Sequence, residues 1–322
     1  MSQIVYIALE YFLVYSFLGW CTEVAYQAVK KGQIINRGFL NGPVCPIYGF
    51  GVLVVFRMLE SAGDGSLYEQ NAFKVFLFGV VLATAIELFG GWMLDKIFHA
   101  RWWDYSDQPF NLHGYICLEF SIIWGLGILL VVRGVNPTVT HLLGLVPVRV
   151  GWALIAIFSA IFIADVIVSV MVMAGLNKRM AEIDEMRARM RVVSNDLSER
   201  IGSRAIDTAQ HIDEAKVQAS LARTEVKAQA SLAKTEVKAQ ASLAVTEAKD
   251  HMEQLHDDYE ARRRELINRL RESRHFGAGR LLRAFPEMRH RDHQELIEMI
   301  RREIKDWDSD MRRTHRGEPY TR

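Results

Sequence analysis

Five carboxylates stand inside long apolar stretches. Glu10 and Glu23 lie within residues 4–29, Glu87 within 73–94, Glu119 within 114–133 and Asp165 within 151–176. A carboxylate at bilayer depth costs a few kcal/mol, so it faces a helix bundle or a water-filled path rather than lipid. The chemistry open to these groups is the binding or relay of a proton or a polar substrate. The alternative is that they are hydrogen-bonded contacts between helices, and both readings stand for Glu87 and Asp165, the most central. Gly79, Ala83, Glu87 and Gly91 recur every four residues, which predicts a small-residue packing face carrying the acid. Ala156, Ala160 and Ala164 predict the same beside Asp165.

Two Cys-x-Glu pairs, Cys21/Glu23 and Cys117/Glu119, combine a soft and a hard metal ligand. Residues two apart on a helix point to different sides, so each pair is a poor chelate, and no metal or cofactor is expected. No CxxC or His/Cys zinc spacing occurs, and Cys21, Cys45 and Cys117 read as small buried hydrophobes.

A third stretch, ARWWDYSDQPFNLHGY (100–115), interleaves Trp102, Trp103 and Tyr105 with Arg101, Asp104, Asp107, Asn111 and His113. The aromatics are of the type that anchors a chain at a membrane surface. With the charges between them they also compose a platform for a headgroup or a sugar.

The segment NRGFLNGPVCPIYGFG (36–51) puts two prolines and four glycines where lipid would require unbroken helix. Pro43 and Pro46 each remove a donor and disfavour helix at the preceding residue. Broken backbone at membrane depth is tolerated where it packs inside protein or lines a cavity, and interrupted helices build many transporter sites. A kinked helix with a small-residue face is the other reading.

The elements that must position these residues follow from hydropathy. About 20 apolar residues cross a bilayer, and five segments approach that length: 4–29, 38–57, 73–94, 114–133 and 151–176. Residues 134–150, short and interrupted by Pro137 and Pro147, read as an interfacial loop. Lys178, Arg179, Arg187, Arg189 and Arg191 follow the last segment, which places that end in the cytoplasm and, after five spans, the N-terminus outside. The first 20 residues have no basic stretch ahead of the apolar run and are not expected to be a cleaved signal peptide.

The net charge of +1 in 322 residues conceals a division. Residues 1–176 carry 9 Lys+Arg and 11 Asp+Glu, and the remaining 30 and 27 lie beyond. The fold predicted is all-α: a membrane helix bundle over 1–176, a long cytoplasmic coiled-coil helix over 177–274, and short helices with a polar tail over 275–322.

The motifs FLGWCTEV (17–24), NRGFLNGPVCPIYGFG and ARWWDYSDQPFNLHGYICLEFS (100–121) resemble the ABC-transporter type IV family of CmpB-like permeases, across residues 5–175. The resemblance implies a bacterial multi-pass protein of the inner membrane. It places Arg37, Asn41, Pro43, Pro46, Tyr48, Trp102, Trp103, Asp104, Tyr105 and Glu119 at motif positions without assigning them roles. No G-x-x-x-x-G-K-[ST] occurs in these residues, so any ATPase is a separate subunit.

In the charged half, AKVQASLARTE, VKAQASLAKTE and VKAQASLAVTE repeat with period eleven over 215–247. Eleven residues over three turns keeps one helix face in register. Val226, Ala230, Ala233 and Val237 form a narrow seam flanked by Lys227 and Lys234 on one side and Gln229 and Glu236 on the other. Residues 178–273 contain no Pro and one Gly and are compatible with one continuous helix, whose polarity calls for a partner helix, a solvated single helix or a weakly lipid-binding surface helix being the other readings. Homo-oligomerisation through this coil is the expectation. Acids match bases throughout, so nucleic acid is not an expected partner. HQELIEMIRREIKDW (293–307) predicts an amphipathic helix that packs back or docks a partner, and the last fifteen residues read as a polar tail.

Three functions fit. The first is a transport component whose site uses Glu87, Asp165, Glu119 and Glu23 with Arg37, Asn41, Pro43 and Pro46 of the broken span. The second is a membrane-anchored coiled-coil scaffold. The third is a membrane enzyme on a lipid-linked substrate, with an acid as general base beside Arg101–Tyr105. The absence of a triad or an HExxH ranks the enzyme last, and no catalytic residue is assigned.

Overall fold

The computed structural model describes residues 2–32, 34–62, 70–219, 224–273 and 275–315, without the side chains of 2, 30, 31, 200–241, 244, 308 and 310–315. The repeat seam Val226–Val237 lies outside the residues whose side chains are described. The chain divides into two units: Met1–Asn177 with Arg269–Arg322, and Lys178–Asn268.

In the first unit, α1 (Ser2–Lys31), α2 (Pro46–Ser61) and α3 (Ala72–Phe98) are followed by a loop with three short strands, β1 (Ala100–Arg101), β2 (Asn111–Leu112) and β3 (Ile116–Cys117). Then come α4 (Leu118–Leu130), a π turn (Val131–Val135), α5 (Asn136–Gly144) and α6 (Val148–Ala219). After α7 (Thr224–Glu272), the unit closes with α8 (Ala278–Ala284), β4 (Arg289–His290) and α9 (Gln294–His315). Helix α9 therefore continues well into the stretch expected to be a polar tail.

Among the described residues, four helices are long and apolar enough to cross a membrane: Gln3–Val29, Ala72–Phe98, Leu118–Gly144 and Val148–Glu199. Phe73, Val81, Phe89, Leu130 and Ile161 are more than half exposed along them, an outward apolar surface suited to lipid. The protein is membrane-integral.

Two span expectations need correction. Segment 38–57 is not one helix: residues 38–45 are non-helical, and Pro46 opens α2 at its first turn, with Cys45 extended before it. At 16 residues α2 is about 24 Å long, short of the bilayer core. Segment 134–150 is not a loop, because helix continues through Pro137 to Gly144. A proline in mid-helix clashes with the carbonyl four residues earlier, here that of Arg133. That carbonyl lies inside the π turn, where the wider winding relieves the clash and Asn136 N–H donates to Val131 O instead.

Contacts set the direction of α2. Tyr48 sits against Gly19, Gly49 against Phe12 and Ser16, and Phe56 edges onto Tyr11 and Tyr15, so α2 runs back along α1. A buried cluster of Tyr15, Val52, Val55, Phe56, Leu59, Val75, Val132 and Val139 joins α1, α2, α3 and the α4–α5 rod. Tyr15 anchors it by donating to Asn136 Oδ1 at 2.7 Å.

A Cβ on Gly49 would lie 2.2 Å from Ser16 Oγ and 2.6 Å from the Phe12 carbonyl oxygen. Gly49→Leu is therefore expected to force α1 and α2 apart and to destabilise the bundle by about 3 kcal/mol. Thermal unfolding in detergent measures this. Gly127→Ala, where nothing lies within 4 Å, is expected to leave the midpoint unchanged or raise it.

The small-residue faces divide. Gly79 packs on Ile128 and Gly125 of α4, and Gly91 meets Trp103 and Tyr115, as a packing face should. Ala156, Ala160 and Ala164 are exposed, contrary to expectation. The buried side of α6 is instead Gly151, Ile155, Ser169, Met173 and Leu176.

In the second unit the expected single helix is two antiparallel segments. Arg179 pairs with Glu265 at 3.6 Å and Glu182 with Arg262 at 3.5 Å, so three residues forward on α6 meet three residues back on α7. Met180, Ile183, Tyr259, Leu266 and Ile267 are buried here. The polar helix thus obtains a partner from its own chain. Residues 220–223 lie outside the described residues and contain neither Gly nor Pro, so their types carried no signal of a reversal.

Candidate functional site

The site is built at the end of the bundle where α1 and α3 finish and α4 begins. Backbone in residues 36–45 cannot bond to itself as a helix would, so its donors and acceptors need other partners. Asp165 of α6 supplies one side. Its carboxylate accepts from Asn41 N at 3.0 Å, Gly42 N at 2.7 Å and Asn41 Nδ2 at 3.1 Å, with Ser169 Oγ donating at 3.2 Å. Arg280 of α8 supplies the other. It donates to the carbonyls of Asn36, Gly38 and Phe39 at 3.1, 2.8 and 2.9 Å. Asn36 holds the loop from within, accepting from Trp20 Nε1 and Gly38 N and donating to Asn41 O. Gly277 N–H completes the clamp by donating to Asn41 Oδ1 at 3.1 Å.

The breaker segment is therefore a loop tied between an acid below and an arginine above. Burial pushes the Arg280 guanidinium down to about 10, a shift that Asp165 and then Cys45 partly oppose. It remains a cation at neutral pH.

The other acids form a second network between α1, α2, α3 and α4. Tyr48 donates to Glu23 Oε1 at 2.6 Å, and Arg37 Nη1 stands 3.8 Å from Glu23 Oε2. Tyr48 lies edge-on to Trp124 at 5.7 Å. Tyr105 reaches in from the loop to donate to Glu87 Oε1 at 3.1 Å, its ring stacked on Phe120 at 4.8 Å. Burial, then the Glu87 charge, push the Tyr105 phenol far above its ordinary value, so it stays a donor.

Glu87 is 7% exposed. Trp124 Nε1 faces the same carboxyl as a side-chain donor in a loose geometry, and the Thr84 hydroxyl, one turn away on α3, is buried. Two carboxyls each accept from a phenol, with Arg37 the one cation paired to either among the described residues, and a carboxyl so placed can hold a proton.

The remaining expected residues scatter. Glu119 is exposed on the first turn of α4 and joins neither network, because α4 begins only at Leu118. Pro43 is exposed in the loop, and Pro46 serves as the helix start. The aromatic loop does not present an outward platform. Trp102 is 3% exposed among Phe39, Phe98 and Phe285, and Trp103 turns inward to donate to Tyr115 O at 2.9 Å.

Asp104 and Arg101 bind the chain's own C-terminal segment and loop. Arg289 Nε reaches Asp104 Oδ2 at 2.9 Å, β1 pairs with β4, and Arg291 Nη2 donates to Asp95 Oδ1 at 2.8 Å. Arg101 bonds His113 O and, at 3.4 Å, Asp95, which Tyr115 also binds. Burial raises the Asp104 carboxyl, but Ser106 donors and the charges of Arg289 and Arg101 outweigh it and hold it below the usual range. Ser106 lies close because Gly114, at φ 75°, leaves room: a Cβ there would meet Asp104 Oδ1 at 2.4 Å.

Sequence reasoning missed Trp124, Asp95, Tyr115, Ser169, Arg280, Arg289 and Arg291. An arginine enclosed by glycine and leucine in GAGRLLRAF was the one local sign that Arg280 would be buried.

A membrane-integral bundle with paired acids in its interior and an interrupted helix beside them is a transporter-like membrane protein. The family described as Putative ABC-transporter type IV matches residues 10–170, half of the chain, and the chain belongs to that family. No curated protein and no solved structure matches it.

Proposed function

We propose that this chain is the membrane component of a transporter, without an ATPase of its own, in which Glu87 takes up and releases a proton as substrate moves. The observation that carries the reading is the buried Glu87 carboxyl, which accepts from Tyr105 and is paired with no cation among the described residues. An intramembrane acid without a counter-charge is the kind of group that marks a proton path. The setting is the cell (inner) membrane, with the N-terminus outside and the C-terminal tail cytoplasmic. The basic residues from Lys178 to Arg191 support a cytoplasmic end to the last apolar segment. The start of α1, where Tyr6 meets Gly151 and Trp152 at the start of α6, lies at the opposite end of the bundle. A P-loop ATPase, where ATP is the energy source, is a separate subunit.

The test uses proteoliposomes with a trapped pH dye and a potassium diffusion potential. Wild-type protein is expected to admit protons faster than empty liposomes. Glu87→Gln is expected to slow this at least tenfold, with Glu119→Gln within twofold of wild type. Equal rates for wild type and Glu87→Gln would sink the proposal.

A second reading, a membrane-anchored scaffold that self-associates through its coil, is favoured by the near-identical repeats of 215–247. The enzyme reading has less support, since Asp104 is engaged by Arg289 and Glu119 stands apart.

A further inference from the structure

At the other end of the bundle, α1, α5 and the start of α6 enclose an open cleft of about 500 Å³. That is the size of small-molecule sites, roughly 300–1,000 Å³. Glu10 sits in its wall, only 9% exposed. The Tyr6 hydroxyl interacts with the Glu10 carboxylate, and no ion pair joins that carboxylate among the described residues. The rings of Tyr6 and Trp152 stand 5.3 Å apart at 56°. Gly151 allows this, since a Cβ there would fall 1.8 Å from Tyr6 Oη. Tyr11 is held in place by Thr140 Oγ1 at 2.8 Å and by edge contacts with Tyr15 and Phe56.

The lining contains a carboxyl and three aromatic rings but no basic side chain, which excludes an anion. One carboxylate, with only the Gln3 amide and the hydroxyls of Thr140 and the tyrosines beside it, supplies too little negative charge for a hard divalent metal ion. A purely apolar ligand would leave Glu10 with the Tyr6 hydroxyl but no counter-charge. An ammonium group satisfies both features: its charge meets Glu10, and its N-methyl or N–H surface lies against ring faces.

We propose that this cleft binds an organic ammonium group, with Glu10 as counter-charge and Tyr6, Tyr11 and Trp152 as the aromatic walls. The ammonium is either a free amine solute or the headgroup of an amine-bearing phospholipid. This proposal is independent of the role given to Glu87.

The test is calorimetric titration of tetramethylammonium chloride, against sodium chloride, into the full chain in nanodiscs of phosphatidylglycerol alone. Saturable binding is expected, weakened at least tenfold by Glu10→Gln and by Trp152→Leu and changed less than twofold by Glu119→Gln. Repeating it in phosphatidylethanolamine nanodiscs identifies the source. Suppressed binding assigns the cleft to the lipid headgroup, and unchanged binding assigns it to a free amine. Absence of saturable binding in phosphatidylglycerol, or wild-type binding in both Glu10→Gln and Trp152→Leu, overturns the proposal and leaves an interfacial aromatic belt only.

Discussion

Asp165→Ala is expected to destabilise the protein by about 3 kcal/mol, since it removes a charged acceptor from two backbone N–H groups at once, each such bond worth about 1.5–3 kcal/mol before relaxation. The substitution strands the Asn41 and Gly42 N–H groups, both of which end on this carboxylate. It also leaves the Arg280 cation without the acid that offsets its burial. No other residue of α6 replaces those acceptors, since Ser169 Oγ already serves Asn41 Nδ2. The measurement is alkylation of Cys45, which is 7% exposed and lies at the end of this loop. Peptide-level mass spectrometry separates it from Cys21 and Cys117. Cys45 is expected to react at least tenfold faster in Asp165→Ala, with Cys117 little changed. Unchanged Cys45 reactivity would mean that the loop is held by something other than Asp165.

Arg280→Ala is the second large effect, expected at about 4 kcal/mol. Three hydrogen bonds from a charged donor vanish at once, each worth about 1.5–3 kcal/mol before relaxation and water entry recover part of it. The Asn36, Gly38 and Phe39 carbonyls are left to find other donors. Release of the C-terminal segment follows, and limited proteolysis within residues 275–293 reports it. The two sites share one loop, so their effects are not additive. Asp165→Ala with Arg280→Ala is expected to cost clearly less than the sum of the two, because the double variant leaves no lone buried charge. Full additivity in thermal unfolding would show that the two residues act separately.

The clamp explains why a chain built for lipid carries NGPVCP at this point. Continuous helix would have satisfied its backbone by itself and left Asp165 alone in the bundle. The interrupted loop gives that carboxylate two backbone N–H groups and gives Arg280 three carbonyls. Strength and specificity come from the same exchange, since only a chain closing on its own C-terminal segment completes it. The Glu87 network is different in kind. Its carboxyl is buried against Tyr105 and Trp124 with no cation paired to it among the described residues.

What the residues alone determined is the part governed by local physics. Runs of apolar residues set the membrane helices, because bilayer thickness fixes their length whatever they pack against. The cost of intramembrane charge singled out five acids, of which Glu23, Glu87 and Asp165 sit in polar networks. Pro43 and Pro46 marked the break, because the missing donor and the steric effect on the preceding residue act within one turn.

What only the tertiary structure decided is the part that depends on residues far apart in the chain. Asp165 meets Asn41 across 124 positions and Arg280 meets Gly38 across 242, and no periodicity relates such pairs. Glu119 had the same residue type and apolar neighbours as Glu87. It is exposed because α4 starts one residue before it, whereas Glu87 lies deep in α3. The alanine stripe of α6 had the spacing of a packing face, but the neighbouring helices meet the opposite side. The helix through Pro137 needed a π turn that no residue type announces. The reversal between α6 and α7 arises because a polar helix gains more from a partner in its own chain than from running on alone.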